Sequence, residues 1–228
     1  MVSILITVPG LMTNLINEGR SFMQMWSMTF LLVVIAILML KLYLNYRQIR
    51  AIRLNINQVP DKFARRVRLA EHQKAGNYNI AKLKVDNIQE LYSSIILLAF
   101  TLGGGIELIN THFSSLANNP LTFGVVVIVV YSMLNAVLTL PFGIYDTFGV
   151  EQKFGFNKTT VGLFIADMLK GLLIAAVIGI PLLYLVLWLM NVMGSKWWLW
   201  VWLVLVVFNL AIMLIYPTVI APLFNKSL

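Results

Sequence analysis

The chain alternates between long apolar runs and short polar interruptions, with one interruption much longer than the rest. Five apolar runs are readable, at about Phe22–Leu42, Leu91–Ile109, Phe123–Leu140, Leu163–Met190 and Trp198–Tyr216. Their lengths suit helices, since roughly 20 residues at 1.5 Å each cross about 30 Å of hydrocarbon. None shows the ten-residue alternation of a membrane-barrel strand. The pattern predicts an all-α fold, a polytopic transmembrane helical bundle of about five spans. Ahead of the first run, Val2–Met12 is apolar but lacks a preceding Lys or Arg and a following small-residue cleavage site, which argues against a secretion signal. Residues 1–21 read as an interfacial segment and residues 22–228 as one transmembrane domain.

Composition supports the membrane assignment. Hydrophobic residues make up 60% of the chain and charged residues 11%, with a mean hydropathy of +0.85. A soluble domain of 228 residues cannot hide that much apolar surface and keep enough charge outside to stay in solution. Cysteine is absent, which excludes disulfides and thiolate chemistry.

The formal charge is +8, and 11 of the 17 Lys and Arg residues lie between Lys41 and Lys84, against only Asp61 and Glu71. Between two membrane spans such a cluster reads as the positive-inside bias rather than as a nucleic-acid footprint. With segment 41–90 in the cytoplasm, the N-terminus lies outside and the C-terminus inside, in a plasma (inner) membrane. Lys153, Lys158 and Lys226 then fall on inner segments, and the outer loops between spans carry no Lys or Arg except Lys196, at the edge of the fifth span. Trp197, Trp198, Trp200 and Trp202 crowd the outer end of the fifth run, where indoles prefer the headgroup layer.

The basic segment is long enough for structure of its own. Phe63, Val67, Leu69 and Ala70 fall near one face of a helix over Lys62–Gly76, with Gly76 as its stop signal. A second helix is expected to start near Asn79 and run unbroken into the second span. Two readings stand: a basic surface helix on anionic headgroups, or a helical hairpin leaning on a cytoplasmic catalytic domain.

Candidate chemistry is sparse. Two His on one helical face beside a Glu make a zinc-protease site, because four residues complete just over one turn. The only histidines, His72 and His112, lie 40 residues apart, and Glu71 begins no H-E-x-x-H pattern. No Ser-His-Asp set, paired-Asp membrane site or P-loop is formed either, so no catalytic or metal-binding residue is assigned. Asp167 and Lys170 share a helical face at i and i+3, as a helix-end ion pair or as the lining of a cytoplasmic cavity. Glu107 follows Gly103–Gly105, where the glycines permit close helix approach or a local break.

The stretch Leu140–Thr160, LPFGIYDTFGVEQKFGFNKTT, is polar and punctuated by glycines, with Leu140-Pro141-Phe142 expected to end the third span. Asn157, Thr159 and Thr160 are all capping types for the fourth helix. Tyr145, Phe148, Phe154 and Phe156 are more aromatic bulk than a connector needs. In the tail, YPTVIAPLFNK, Pro217 and Pro222 favour an extended exit over a continuous helix. That tail is either a frayed end or a tether into a following domain.

These two segments resemble the CAAX prenyl protease 1 family. The hairpin is similar to L-P-[FLS]-x-x-Y-x-T-F-x-[IV]-E-x-x-x-G-F-N-x-x-T, matched by Leu140, Pro141, Tyr145, Thr147, Phe148, Glu151, Gly155, Phe156, Asn157 and Thr160. The tail resembles Y-x-x-x-I-A-P-L-F-[ND]-K, matched by Tyr216, Ile220, Ala221, Pro222, Leu223, Phe224, Asn225 and Lys226. The resemblance implies a bundle around an internal chamber and a zinc metalloendopeptidase that cleaves CAAX-type or membrane-protein substrates. It further implies that the zinc helix follows the second segment, beyond Leu228. The present chain is then expected to lack the catalytic domain, to bind no zinc itself and to be inactive alone. Structural or substrate-chamber candidates are Tyr145, Glu151, Gly155, Phe156, Asn157, Asp167, Lys170, Pro222, Phe224 and Asn225. Expected partners are the lipid bilayer, a peptide or membrane-protein substrate and the C-terminal catalytic domain, with no nucleic acid. The alternatives are a non-catalytic membrane scaffold of the same fold and, more remotely, a small transporter.

Overall fold

The computed structural model describes residues 2–60, 65, 67–116 and 119–222, by backbone alone for 2–21 and 116. The described chain is helical and contains no strand. The main helices are α1 (Val2–Asn55), α2 (Leu69–Thr101), α3 (Gly105–Phe113), α4 (Pro120–Tyr145), α5 (Val161–Val192) and α6 (Trp197–Ile215). Helix α4 continues into a π-helical segment, Asp146–Glu151, and α6 into another, Tyr216–Ile220. Four stretches are long and apolar enough to cross a membrane: Phe22–Asn55, Pro120–Glu151, Val161–Val192 and Gly194–Ile220. The interrupted pair α2–α3 qualifies as a fifth. The chain is a multi-pass helical membrane protein, as the apolar runs indicate. Its apolar side chains open outward, Met213 and Leu214 each being 74% exposed, as lipid-facing residues must be.

The chain divides into two compact units, one of residues 1–105 with 142–154, the other of residues 106–141 with 155–228. In the first unit, α1 and α2 form an antiparallel hairpin. Lys41 pairs with Glu90 at 2.7 Å, and the Asn45 amide donates to Asn87 Oδ1 at 2.8 Å. Nearer the tip, the His72 Nε2 lies 3.1 Å from the carbonyl of Asn55, satisfying the open C-terminal end of α1. The Gln73 amide donates to Asn57 at 3.0 Å. Of the two readings of the basic segment, the backbone takes the form of a helical hairpin.

Several boundaries differ from expectation. Helix α2 begins at Leu69, not near Asn79, and Gly76 lies inside it. A Cβ at Gly76 would stand 3.0 Å from the Ile56 side chain and 3.3 Å from Ile52, so this glycine sets the close approach of the two helices rather than stopping one. Of the helix expected over 62–76, positions 62–64 and 66 lie outside the described residues, Arg65 is in a turn and Leu69 onward belongs to α2. Helix α1 runs on from residues 2–21 into the first span. The second span is interrupted, not continuous. The Leu98 carbonyl accepts from both Leu102 and Gly103, and Gly104 adopts φ +82°, which ends α2.

In the second unit, Gly124 of α4 meets α5 closely: a Cβ there would lie 3.1 Å from Leu187. Helix α5 starts with Thr160 as its cap, the hydroxyl accepting from Leu163 N at 3.2 Å. Gly194, at φ +54°, turns the chain from α5 into α6. The expected extended exit after Tyr216 is instead π-helical, and Pro222 sits in a helical turn, half-buried. Pro217 falls at the start of that segment, where its missing N–H costs least. The Thr218 hydroxyl donates toward the carbonyls of Leu214 and Ile215 at 3.3 and 3.2 Å.

Candidate functional site

The stretch expected to be a loop after Pro141 is mostly helix. Pro141 lies inside α4, where it removes one hydrogen bond without ending the helix. Two residues earlier, Thr139 Oγ1 donates back to the Asn135 carbonyl at 2.8 Å. After Tyr145 the winding loosens to the π form over Asp146–Glu151, and helical turns persist to Lys153.

That change of winding decides which side chains meet. In an α-helix, residues five apart point about 140° away from each other. In a π-helix, whose bonds run from i to i+5, they stack on one face. Asp146 and Glu151 are five apart, and both reach the same cation. Lys82 Nζ lies 2.9 Å from Asp146 Oδ2 and 3.3 Å from Glu151 Oε1. Tyr78, one turn before Lys82 on α2, donates its hydroxyl to Glu151 Oε1 at 3.4 Å. The Lys82 ammonium also lies 5.6 Å from the centre of the Tyr78 ring, and Phe154 packs edge-on against that ring at 5.7 Å. One α2 face thus grips the π segment through a lysine, a phenol and an aromatic pair. One end of the grip is anchored by Tyr92 against Phe142, with centroids 5.2 Å apart.

Electrostatics reinforce the grip. The three ionic side chains are each about 30% exposed, so water screens them only in part. They lie beside the part of α2 before Leu91, which carries Glu71, Lys74, Lys82, Lys84, Asp86 and Glu90 and stands outside the apolar stretch. The hydrogen bond to Asp146 holds the Lys82 ammonium well above its ordinary value, against a partial desolvation that pulls it down. Partial desolvation, and then the Asp146 carboxylate, push the Asp86 carboxyl up. Asp146 Oδ1 is buried and takes no hydrogen bond among the described residues, so Lys82 is the cation that offsets this carboxylate.

Of the residues singled out from sequence, Tyr145 and Glu151 belong to this assembly. The Tyr145 ring covers Gly149, where a Cβ would lie 3.0 Å away. Glu151 binds the side chains of Lys82 and Tyr78 rather than backbone groups. Gly155 adopts φ +71°, a left-handed conformation that only glycine takes freely. The Asn157 Oδ1 accepts from Thr159 N at 2.6 Å, forming a local turn ahead of α5. Phe156 is 48% exposed, at the start of the stretch without regular structure that leads to the α5 cap. Asp167 and Lys170 pair at 3.1 Å along one face of α5, in the second unit. Phe224 and Asn225 lie outside the described residues. Lys82, the centre of the grip, was not singled out, although Tyr78, Lys82, Asp86 and Glu90 recur every four residues as a polar stripe.

The comparisons with known proteins cover both motif-bearing segments. Residues 48–226 match the family described as CAAX prenyl protease N-terminal, five membrane helices. The chain belongs to this family. It is 32% identical over 198 residues to the CAAX prenyl protease 1 homolog of Dictyostelium discoideum, covering 81% of this chain and 44% of that protein. The CAAX prenyl protease 1 of Saccharomyces cerevisiae is 31% identical over 198 residues, with 81% and 42% covered. The crystal structure of S. mikatae Ste24p superposes with a TM-score of 0.72 at 29% identity, covering 85% of this chain and 46% of that one. The chain therefore spans less than half the length of these relatives, and corresponds to the N-terminal membrane region of a CAAX prenyl protease.

Among the described residues, the side chains do not fit the zinc that the family resemblance implies. His72 Nε2 lies against the Asn55 carbonyl and His112 Nδ1 lies 2.9 Å from the Leu108 carbonyl. No group of three or more His, Cys, Asp or Glu is gathered for a metal among the described residues.

Proposed function

We propose that this chain is the membrane half of a zinc metalloendopeptidase acting on CAAX-type or membrane-protein substrates. In this reading it forms part of the chamber wall and the docking surface for a catalytic portion carrying the zinc ligands. The observation that carries the proposal is the seating of Glu151. This residue lies in the family-like segment 140–160 and is held by Lys82 and Tyr78 of α2. A segment clamped in this way keeps a fixed shape, as a docking surface must. The left-handed Gly155 and the Asn157 turn shape the chain that follows. The bilayer is the constant partner. The charge asymmetry supports a plasma-membrane orientation with the N-terminus outside and segment 41–90 in the cytoplasm.

The test joins this chain to a zinc-bearing catalytic half of the same family and measures proteolysis of a prenylated peptide and of a membrane-protein reporter. Glu151→Ala and Asn157→Ala are expected to lower activity while membrane insertion stays intact. Wild-type proteolysis in both variants would reduce the segment to a connector. A zinc-loaded assembly with neither activity would favour the non-catalytic scaffold.

A further inference from the structure

On the other side of the α2 stripe lies a cleft of about 610 Å³ within the first unit. Its floor is apolar: Ile80, Val85 and Val150 are buried side chains, and Ile88 continues the wall toward the apolar stretch that starts at Leu91. Its polar edge holds two cations, Lys84 and Lys153, and no carboxylate lines it. Neither lysine has a carboxylate partner among the described residues. Among the acidic groups of this unit, Asp146 and Glu151 turn onto Lys82, Glu90 onto Lys41 and Glu71 onto the backbone N–H of Arg68, and Asp86 lines a separate cavity with Lys41 and Asn45.

The level of the cleft along the helices follows from the Tyr92–Phe142 contact, which places those two residues side by side. Lys84 comes eight residues before Tyr92, about 12 Å along an α-helix. That distance spans the headgroup layer of one leaflet, which adds roughly 5–8 Å beyond the hydrocarbon edge, together with the reach of a lysine stem. An apolar wall that leaves the membrane core and ends in two unpaired-by-acid cations complements one kind of molecule: a chain of hydrocarbon carrying a phosphate.

We propose that this cleft binds an anionic phospholipid, its phosphate between Lys84 and Lys153 and an acyl chain along Val150, Val85 and Ile88 toward the apolar stretch. The site is separate from the Glu151 grip and does not depend on the protease reading. Basic pockets between membrane helices favour such headgroups through Coulomb attraction. The apolar floor selects a lipid over a free anion.

The test is native mass spectrometry of the 228-residue chain released from micelles doped with phosphatidylglycerol or phosphatidylcholine. The wild-type chain is expected to retain phosphatidylglycerol preferentially. Lys84→Gln with Lys153→Gln should erase the preference, at roughly fivefold per lysine. Ala81→Trp, which fills the cleft and keeps both cations, should lower retention of both lipids. Arg53→Gln with Lys158→Gln removes two charges elsewhere and should leave the preference unchanged. Circular dichroism should show equal helix content in all four proteins. Equal retention of the two lipids by the wild type, or an undiminished preference in the Lys84/Lys153 variant, would overturn the proposal. So would displacement of the lipid by inorganic phosphate or by an acidic peptide, which would make the site one for a free anion or a protein segment.

Discussion

Lys82 Nζ stands 2.9 Å from Oδ2 of Asp146, a residue on another helix and 64 positions further along the chain. The pair fastens the end of α4 to α2, and the same ammonium takes up Glu151. Replacing Lys82 by Met leaves two carboxylates facing each other with no cation between them. The variant is expected to lose roughly 1–3 kcal/mol, the usual cost of stranding a partly buried polar partner. A lowered thermal midpoint in detergent would show it. Adding Asp146→Leu to Lys82→Met should recover much of the loss, because replacing both members of a pair by apolar groups is close to neutral.

Gly76 gives a graded prediction. An alanine Cβ would stand 3.0 Å from Cδ1 and Cγ1 of Ile56 and 3.3 Å from Cγ2 of Ile52, so these side chains must give by a few tenths of an ångström. That cost offsets a gain in helix propensity of about 1 kcal/mol, and Gly76→Ala should be close to neutral. Leucine cannot be accommodated between α2 and the Ile52–Ile56 face. Gly76→Leu is expected to cost about 1–3 kcal/mol, as overpacking does. Thermal unfolding of the two variants side by side measures the contrast.

Gly155 tests the backbone rather than the packing. At φ +71° an alanine pays about 1–2 kcal/mol for the left-handed conformation, and an asparagine pays less. Gly155→Ala should therefore melt at a lower temperature than the wild type, with Gly155→Asn between them. Equal midpoints for all three would show that the segment relaxes to another conformation at no cost.

Orientation is open to direct measurement because the chain has no cysteine of its own. Single cysteines at Ser114 and Gln58 can be probed with an impermeant thiol reagent on intact cells. The expected outcome is labelling at Ser114 and protection at Gln58, which is exposed at the link between α1 and α2. The reverse pattern would invert the topology. Gly76 is unsuited to this test, since it is packed against Ile56.

The spans were legible because hydrocarbon imposes one requirement, an apolar run of sufficient length, and five such runs stand out of the sequence. The family-like segment was legible as a motif, and the left-handed Gly155 and the Asn157 turn as residue types. The Lys82 grip was not. Helical periodicity puts Asp146 and Glu151 on different faces, and nothing in their spacing announces a π turn. Gly76 was misread for a related reason: a glycine that ends a helix and one that admits a neighbouring helix are the same letter. Pro141 and Pro217 read as ends, yet Pro141 lies inside α4 and Pro217 at the start of a π segment, each forgoing one hydrogen bond without ending the helix.

The π segment 146–151 turns a matter of shape into a matter of counting. Such a segment holds one residue more than α geometry requires. Deleting one of the four residues between its two carboxylates would close the winding to α and leave the acids four apart, where an α-helix still puts them on one face toward Lys82. Adding one would place them six apart, about 120° away from each other in an α-helix, and take Glu151 off that lysine. Divergence at this point of the chain is therefore expected to admit the loss of a residue, with the winding passing from π to α, and to exclude a gain, while longer insertions accumulate elsewhere, such as the link between α1 and α2.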